Sequence, residues 1–152
     1  MKQSKSISYC GVVAIDVPQV NLYLVVNKSV EQIKEFLKKQ GVVKASIDTI
    51  ERELKEADSD GFFMRTSEDL RFMYLKECTG TWQDLDVLNH ETFHFVDFES
   101  EYRMFAKESE FKAYLHEATF RKLRKILFNE KDKMDKKIKH MVCKTKGKKK
   151  KK

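Results

Sequence analysis

The sequence lacks both a long apolar run and a regular set of cysteines. No stretch approaches the 18 apolar residues that a transmembrane helix needs, so none is expected. The cysteines number three and are widely spaced, which argues against a disulfide framework and a CxxC metal site; they are Cys10, Cys78 and Cys143. Residues 1–5 show no signal-peptide pattern. These absences predict a protein of the reducing cytoplasm.

The composition is that of one globular domain. The chain of 152 residues is 41% apolar and 11% aromatic, which is enough for a single packed core. Internal repeats are absent from the sequence. From Lys144 onward the residues are mostly lysine and offer nothing that a core would bury. We therefore expect one domain over residues 1–143 and a disordered, lysine-rich tail over residues 144–152.

The positive charge is concentrated towards the C-terminus. Residues 121–152 hold 16 Lys or Arg and 3 Asp or Glu, a net charge of +13. The preceding 120 residues hold 15 basic and 21 acidic side chains, a net charge of −6. The overall charge of +7 therefore says nothing about the surface of the domain. Such a basic segment suits weak contact with nucleic acid or with an anionic surface, or simply keeps a protein soluble.

Four segments have the composition of β-strands. Residues 7–15 and 20–26 are rich in β-branched and aromatic side chains and flank Pro18, the only proline. Residues 62–64 and 71–76 are shorter, and they are typical of a hairpin or an edge strand.

Helical spacing of apolar residues predicts four helices. Each of the first three has a local start or stop signal, such as the capping-box pair Ser29 and Gln32 or the possible N-cap Thr81. The predicted helices are one that follows Ser29 and ends near Gly41, one across residues 47–57, one over residues 82–96 before an acidic break at 99–101, and one over residues 108–140.

The segment that carries chemistry is H-E-x-x-H, formed by His90, Glu91 and His94. On an α-helix, residues four apart share one face, so both imidazoles can bind a single ion. Zinc accepts imidazole nitrogen and, in catalytic sites, keeps one position for a water molecule. Glu91 emerges beside the metal and can take a proton from that water. The flanking residues are uncharged, which predicts that this helix is buried.

This motif and its surroundings resemble those of the zincin metallopeptidases. In the gluzincin branch the third ligand is a Glu on a later helix, and Glu110 opens an E-x-x-A sequence 16 residues after His94. That pattern resembles small cytoplasmic and phage-associated gluzincins, over roughly residues 71–120. The resemblance implies an α+β, zincin-like fold: a small mixed sheet, an active-site helix, a following ligand-bearing helix, and a basic C-terminal helix and tail. It also implies Zn²⁺ as the cofactor.

Other third ligands remain open. Glu117 lies seven residues beyond Glu110 and therefore on the same helical face. His116 would make a three-histidine site, whereas Glu108 is off that face. Asp97 lies one turn after His94, too far along the helix to join both histidines, and other transition ions also suit such a ligand set.

Supporting roles follow from the same comparison. Asp97 is a candidate to accept the second N–H of a metal-bound histidine, because the orienting Asp of thermolysin-like enzymes is replaced here by Tyr114. Tyr114 is in turn a candidate donor to the oxyanion, although an aromatic core residue is the simpler interpretation. Residues 72–76 are a candidate edge strand that holds an extended substrate.

Together these features predict a zinc-dependent hydrolase that cleaves peptide or protein substrates, with Glu91 as the general base. The alternative is a nucleic-acid- or protein-binding module in which the motif is structural or inactive. A zinc hydrolase acting on a non-peptide amide is a third hypothesis.

Overall fold

A computed structural model of the chain describes residues 6–103 and 108–146, with side chains in the second range described as far as residue 128. The fold is α+β, as predicted. The four strands are β1 (Tyr9–Ile15), β2 (Val20–Val26), β3 (Gly61–Arg65) and β4 (Arg71–Leu75). The four helices are α1 (Val30–Lys39), α2 (Lys44–Glu56), α3 (Trp82–Tyr102) and α4 (Ser109–Lys146).

The strands form one mixed sheet in the order β1-β2-β4-β3. Strands β2 and β4 are parallel, whereas β1 pairs with β2 and β3 pairs with β4 in antiparallel fashion. The hairpin prediction is therefore confirmed. The prediction that residues 72–76 form a substrate-binding edge is wrong, because β4 has a neighbouring strand on both sides. The strand with a free edge at this side of the sheet is β3.

Helices cover both faces of the sheet because the strands are apolar on both sides. On one face Leu22 and Leu24 of β2 pack with α3 and α4, through buried residues such as Phe95 and Leu123. On the other face a second cluster joins the sheet to α1 and α2; it includes Val25, Phe72, Ile33, Leu37, Ile47 and Ile50. Leu127 is the last buried residue of α4 whose side chain is described.

The local start signals are confirmed. Ser29 and Gln32 form a capping box at α1, and Thr81 forms another with Asp84 at α3. Two helix ends differ from the prediction. Helix α3 runs through the expected acidic break to Tyr102, because Glu99 is buried against Arg71 and its charge is compensated there.

Helix α4 also continues further than predicted, to Lys146, so three residues assigned to the disordered tail belong to its last turn. The rest of that tail, residues 147–152, lies outside the described residues. Among the helices that the structure describes, none is both long and apolar enough to cross a membrane.

Candidate metal centre

Both histidines of the motif lie in the middle of α3, on its solvent-facing side. The opposite side of the helix holds it against the sheet and α4 through Leu88, Thr92 and Phe95, all fully buried. His90 and His94 are exposed. The expectation of a wholly buried helix is therefore wrong, because its uncharged residues are divided between the two sides. An exposed imidazole pair is accessible to water, to a metal ion and to a substrate.

The two imidazoles meet through their Nε2 atoms. These nitrogens lie 2.9 Å apart, and the ring centroids are separated by 4.5 Å with the rings nearly perpendicular. One turn of helix thus brings both nitrogens to a common point, as the spacing of four residues predicts. The same distance also allows a hydrogen bond between a protonated and an unprotonated nitrogen, so the pair has a stable arrangement without metal.

Glu91 lies beneath this pair and is only 4% exposed. Burial raises the pKa of its carboxyl above the ordinary value, and the opposing influences are the neighbouring His94 and His90 and a hydrogen bond from the backbone of Phe63. A carboxylate in this environment retains a proton more readily than an exposed one does. Phe63 belongs to β3, so the hydrogen bond joins the candidate base to the edge of the sheet.

The outer edge of β3 faces this site. The backbone N–H of Lys76 donates to the carbonyl oxygen of Asp60, and the backbone N–H of Thr66 donates to the carbonyl oxygen of Leu70. Positions 60 and 66 therefore belong to the hydrogen-bonded pairs of the β3–β4 hairpin. In an antiparallel ladder bonded and non-bonded pairs alternate. Positions 61, 63 and 65 therefore direct their N–H and C=O groups away from β4, in agreement with the bond from Phe63 to Glu91.

A groove of about 590 Å³ runs between this edge and α3. All five residues of β3 line one wall. The other wall consists of α3 residues, namely His90, Glu91, His94, Asp97, Phe98 and Glu101. The histidine pair and the buried carboxylate thus line the same groove as the edge strand β3.

A second groove of about 600 Å³ lies elsewhere, around Arg71 and Ser46. Its buried polar groups are satisfied within the protein. Arg71 pairs with Glu99, and Ser46 lies 2.8 Å from the hydroxyl of Thr66 and 2.7 Å from the carboxylate of Glu68. We therefore assign the chemistry to the groove beside the histidines.

The predicted carboxylate ligands are not gathered at the histidine pair. Asp97 lines the groove, but its Oδ1 accepts a hydrogen bond from Lys112 Nζ at 2.7 Å. Glu117 is paired with Arg121 on the next turn of α4. Glu110 is exposed in the first turn of α4 and does not line the groove. The choice of third ligand stays a prediction.

The other candidates also lie apart from the pair. His116 has its Nε2 3.4 Å from the carbonyl oxygen of Asn89, on the adjoining side of α3. Phe93 lies between it and the motif, 6.4 Å from the rings of both His94 and His116. Tyr114 is 61% exposed, so its interpretation as an aromatic core residue is wrong. Glu108 is exposed at the start of α4.

Two imidazole nitrogens therefore converge, and among the described residues no third candidate ligand joins them. Within residues 6–103 and 108–128, no group of three or more His, Cys, Asp or Glu side chains has a metal-binding arrangement. Two convergent imidazole nitrogens with a neighbouring carboxylate fit the chemistry of Zn²⁺, which takes N and O ligands. The two histidines alone do not complete the three protein ligands of a catalytic zinc site.

Sequence reasoning missed the contribution of β3. Phe63, Arg65 and Glu101 line the groove, but none belongs to the motif. The hairpin prediction was the only signal for them, since it brought residues 62–64 beside 71–76 without showing which strand faces α3. Comparison of the chain with protein-family models, curated proteins and solved structures gives no match. The geometry of the site is therefore the evidence for a function.

Proposed function

We propose that this protein is a zinc-dependent peptidase in which His90 and His94 hold the metal and Glu91 is the general base. One observation carries the proposal: two imidazole nitrogens 2.9 Å apart and a buried carboxylate share one open groove. A mixed sheet whose edge strand lies beside the motif helix also supports a zincin-like fold.

The chemistry divides between the metal and the protein. Zinc, when bound, lowers the pKa of a water molecule to about 7 and polarises a carbonyl group. Glu91 takes a proton from the attacking water on a carboxylate oxygen and delivers it to the nitrogen of the leaving amine. The backbone of Phe63 hydrogen-bonds that carboxylate, and burial raises its pKa above the ordinary value, which favours its acceptance of a proton.

The free edge of β3 makes an extended peptide the fitting substrate. Positions 61, 63 and 65 direct their backbone groups away from β4. The Gly61 carbonyl accepts from Ser59 Oγ at 2.8 Å and the Phe63 N–H faces Glu91, so a peptide that adds to this edge would bond through the remaining groups. Main-chain bonding gives affinity without requiring one sequence, which favours peptides and unfolded protein segments over other amides.

Three supporting roles belong to the same proposal. Glu110 is the third ligand that the gluzincin resemblance implies, and Glu117 is its alternative. Asp97, held by Lys112 at 2.7 Å on the wall of the groove, is a candidate to orient a histidine. Tyr114 is a candidate oxyanion donor, which its exposure permits.

The test compares zinc content and peptide hydrolysis in the wild type, Glu91→Gln and His90→Ala. We expect about one zinc per wild-type chain, retained in Glu91→Gln and lost in His90→Ala. Hydrolysis should fall by at least about 100-fold in both variants. Glu91→Gln loses the general base, which contributes that much, and His90→Ala loses the metal. Glu56→Gln, at an exposed glutamate of α2 outside the groove, is the control and should keep both its zinc and its hydrolysis. A wild type that binds no zinc after reconstitution would contradict the proposal.

A second candidate function, nucleic-acid binding, is supported by the C-terminal charge. Residues 121–152 carry a net charge of +13, and α4 continues 19 residues past Leu127, the last buried residue described on it. Binding through phosphates would weaken steeply with salt. A protein that lacks zinc but binds single- or double-stranded nucleic acid with such a slope would favour this candidate.

A further inference from the structure

The groove extends past the histidine pair along α3, where its charged lining residues are Arg65, Asp97 and Glu101. Two of the charged side chains that line this part have partners. Asp97 accepts a hydrogen bond from Lys112 at 2.7 Å, and Arg65 is paired with Asp69 through its Nε. Asp97 is therefore compensated by Lys112, whereas Asp69 is shared between Arg65 and Arg71, and Arg71 also pairs with Glu99.

Arg65 is also fixed in position by two aromatic rings. Its guanidinium carbon lies 5.0 Å from the ring centre of Phe98 and 4.4 Å from that of Tyr102. These rings are themselves stacked, with their centres 6.2 Å apart and an angle of 13° between them. Among the described residues, Arg65 is ion-paired with Asp69 and not with Glu101.

Glu101 is the remaining acidic residue in this part of the groove. It is exposed, it lines the groove, and among the residues that the structure describes its carboxylate has no ion-pair partner. Its charge is therefore open to a cationic group that enters the groove. A ligand with Lys or Arg at this point would gain a favourable interaction, and one with Asp or Glu would be repelled.

The separation of Glu101 and His94 along α3 sets the distance between the charge and the histidine pair. Seven residues of helix separate it from His94, a rise of about 10 Å. An extended peptide covers about 3.3 Å per residue, so Glu101 lies about three peptide residues from the histidines.

The direction of β3 sets the direction in which an added peptide would run. Strand β3 runs alongside α3 in the same sense, since Gly61 lies against Val87, Phe63 against Phe95 and Arg65 against Phe98. Antiparallel addition, the commoner pairing, would direct the N-terminal part of a bound peptide towards Arg65 and Glu101.

We propose that Glu101 is a specificity residue that selects substrates with Lys or Arg about three residues before the cleaved bond. The position of this Lys or Arg relative to the cleaved bond rests on the proposed peptidase function. Recognition of a cation by the groove does not depend on hydrolysis. The two can therefore be tested separately on the same full-length protein.

The first measurement is binding without metal. Fluorescein-labelled octapeptides Ala-Ala-Xaa-Ala-Ala-Phe-Ala-Ala, with Xaa as Lys or Glu, are titrated by fluorescence anisotropy against chelator-treated wild type and variants. The lysine-rich segment is common to all proteins, so the informative quantity is the ratio of the two affinities. We expect that ratio to shift by about three- to tenfold towards the Glu peptide in Glu101→Lys, and by less in Glu101→Gln.

Glu56→Lys is the matched control, because Glu56 is also an exposed glutamate in the last turn of a helix, α2, but lies outside this groove. Its ratio should equal that of the wild type. An unchanged ratio in Glu101→Lys, or an equal shift in Glu56→Lys, would overturn the proposal. Lysine near the C-terminus of a helix is favourable, so both variants should fold.

The second measurement is cleavage after zinc is restored. Cutting about three residues beyond the Lys of the peptide supports the register, and cutting at a site unrelated to that Lys overturns it. A shifted affinity ratio without any cleavage would contradict the peptidase function and still support Glu101 as the residue that recognises the cation.

Discussion

The guanidinium of Arg71 lies against the carboxylate of Glu99, and both side chains are buried, at 5% and 0% exposure. Arg71 also donates to the backbone carbonyl of Asp69 at 2.9 Å and lies 3.0 Å from its carboxylate. The pair joins β4 to α3 five residues beyond His94. It therefore helps to fix the motif helix relative to the sheet edge that lines the groove.

Removal of the Glu99 charge should destabilise the protein strongly. In Glu99→Gln the buried Arg71 keeps its charge and loses its main partner, so the free energy of unfolding should fall by about 3 kcal/mol. Urea denaturation measures this directly. Glu101→Gln, two residues later and exposed, is the control and should change stability by no more than about 0.5 kcal/mol. Equal effects in the two variants would show that the pair contributes nothing beyond a surface charge.

Gly61 should not tolerate a side chain, because β3 and α3 are in close contact there. A Cβ at Gly61 would lie 2.8 Å from Val87 Cγ1 and 2.9 Å from the backbone oxygen of Tyr74. We expect Gly61→Ala to destabilise the protein by about 1–3 kcal/mol and to weaken peptide binding in the groove.

The double variant with Val87→Ala separates the two contacts at Gly61. It should recover part of the binding lost in Gly61→Ala, because the contact with Val87 is removed while the Tyr74 oxygen at 2.9 Å and Leu75 Cδ2 at 3.0 Å remain. Wild-type binding by Gly61→Ala would show that this contact does not shape the groove.

The third metal ligand can be identified from zinc stoichiometry. If Glu110 completes the site, Glu110→Ala should lose zinc as completely as His90→Ala, whereas Glu117→Ala and His116→Ala should retain about one zinc per chain. Elemental analysis at equal protein concentration gives the answer. Retention of zinc by Glu110→Ala and its loss in Glu117→Ala would transfer the role to the second carboxylate.

Acid should weaken the link between α1 and α2. Glu51 lies 2.6 Å from Lys34 and 2.7 Å from Lys55, and these hydrogen bonds lower the pKa of its carboxyl to about 2. A depressed folded-state pKa stabilises the protein above the ordinary value of 4.5, and that contribution is lost as the pH falls towards 2.

The stability difference between wild type and Glu51→Gln should therefore be smaller near about pH 3 than near about pH 6, as measured by denaturant midpoints. Glu56→Gln, on the same helix, provides the control for a general charge effect. A difference that does not change with pH would contradict the role of these two lysines.

Several parts of the fold follow from short-range patterns. The capping box at Ser29 and the N-cap at Thr81 use side-chain to backbone bonds that span three residues, so the sequence alone indicates them. The strand assignments near residues 9–15 and 20–26 were also correct, because β-branched and aromatic residues are concentrated there. The end of α3 was wrong for the opposite reason. Glu99 meets Arg71, which is 28 positions away in the chain, and no local pattern shows this.

The sequence by itself determined the chemistry of the candidate site. A spacing of four residues puts His90 and His94 on one helical face, and their nitrogens are indeed 2.9 Å apart. Only the tertiary structure decided that β3 and not β4 lies at the edge of the sheet, that Phe63 bonds to Glu91, and that Glu101 lines the same groove. Helix periodicity is a local property of the chain, whereas strand order and ion pairing depend on which distant residues meet.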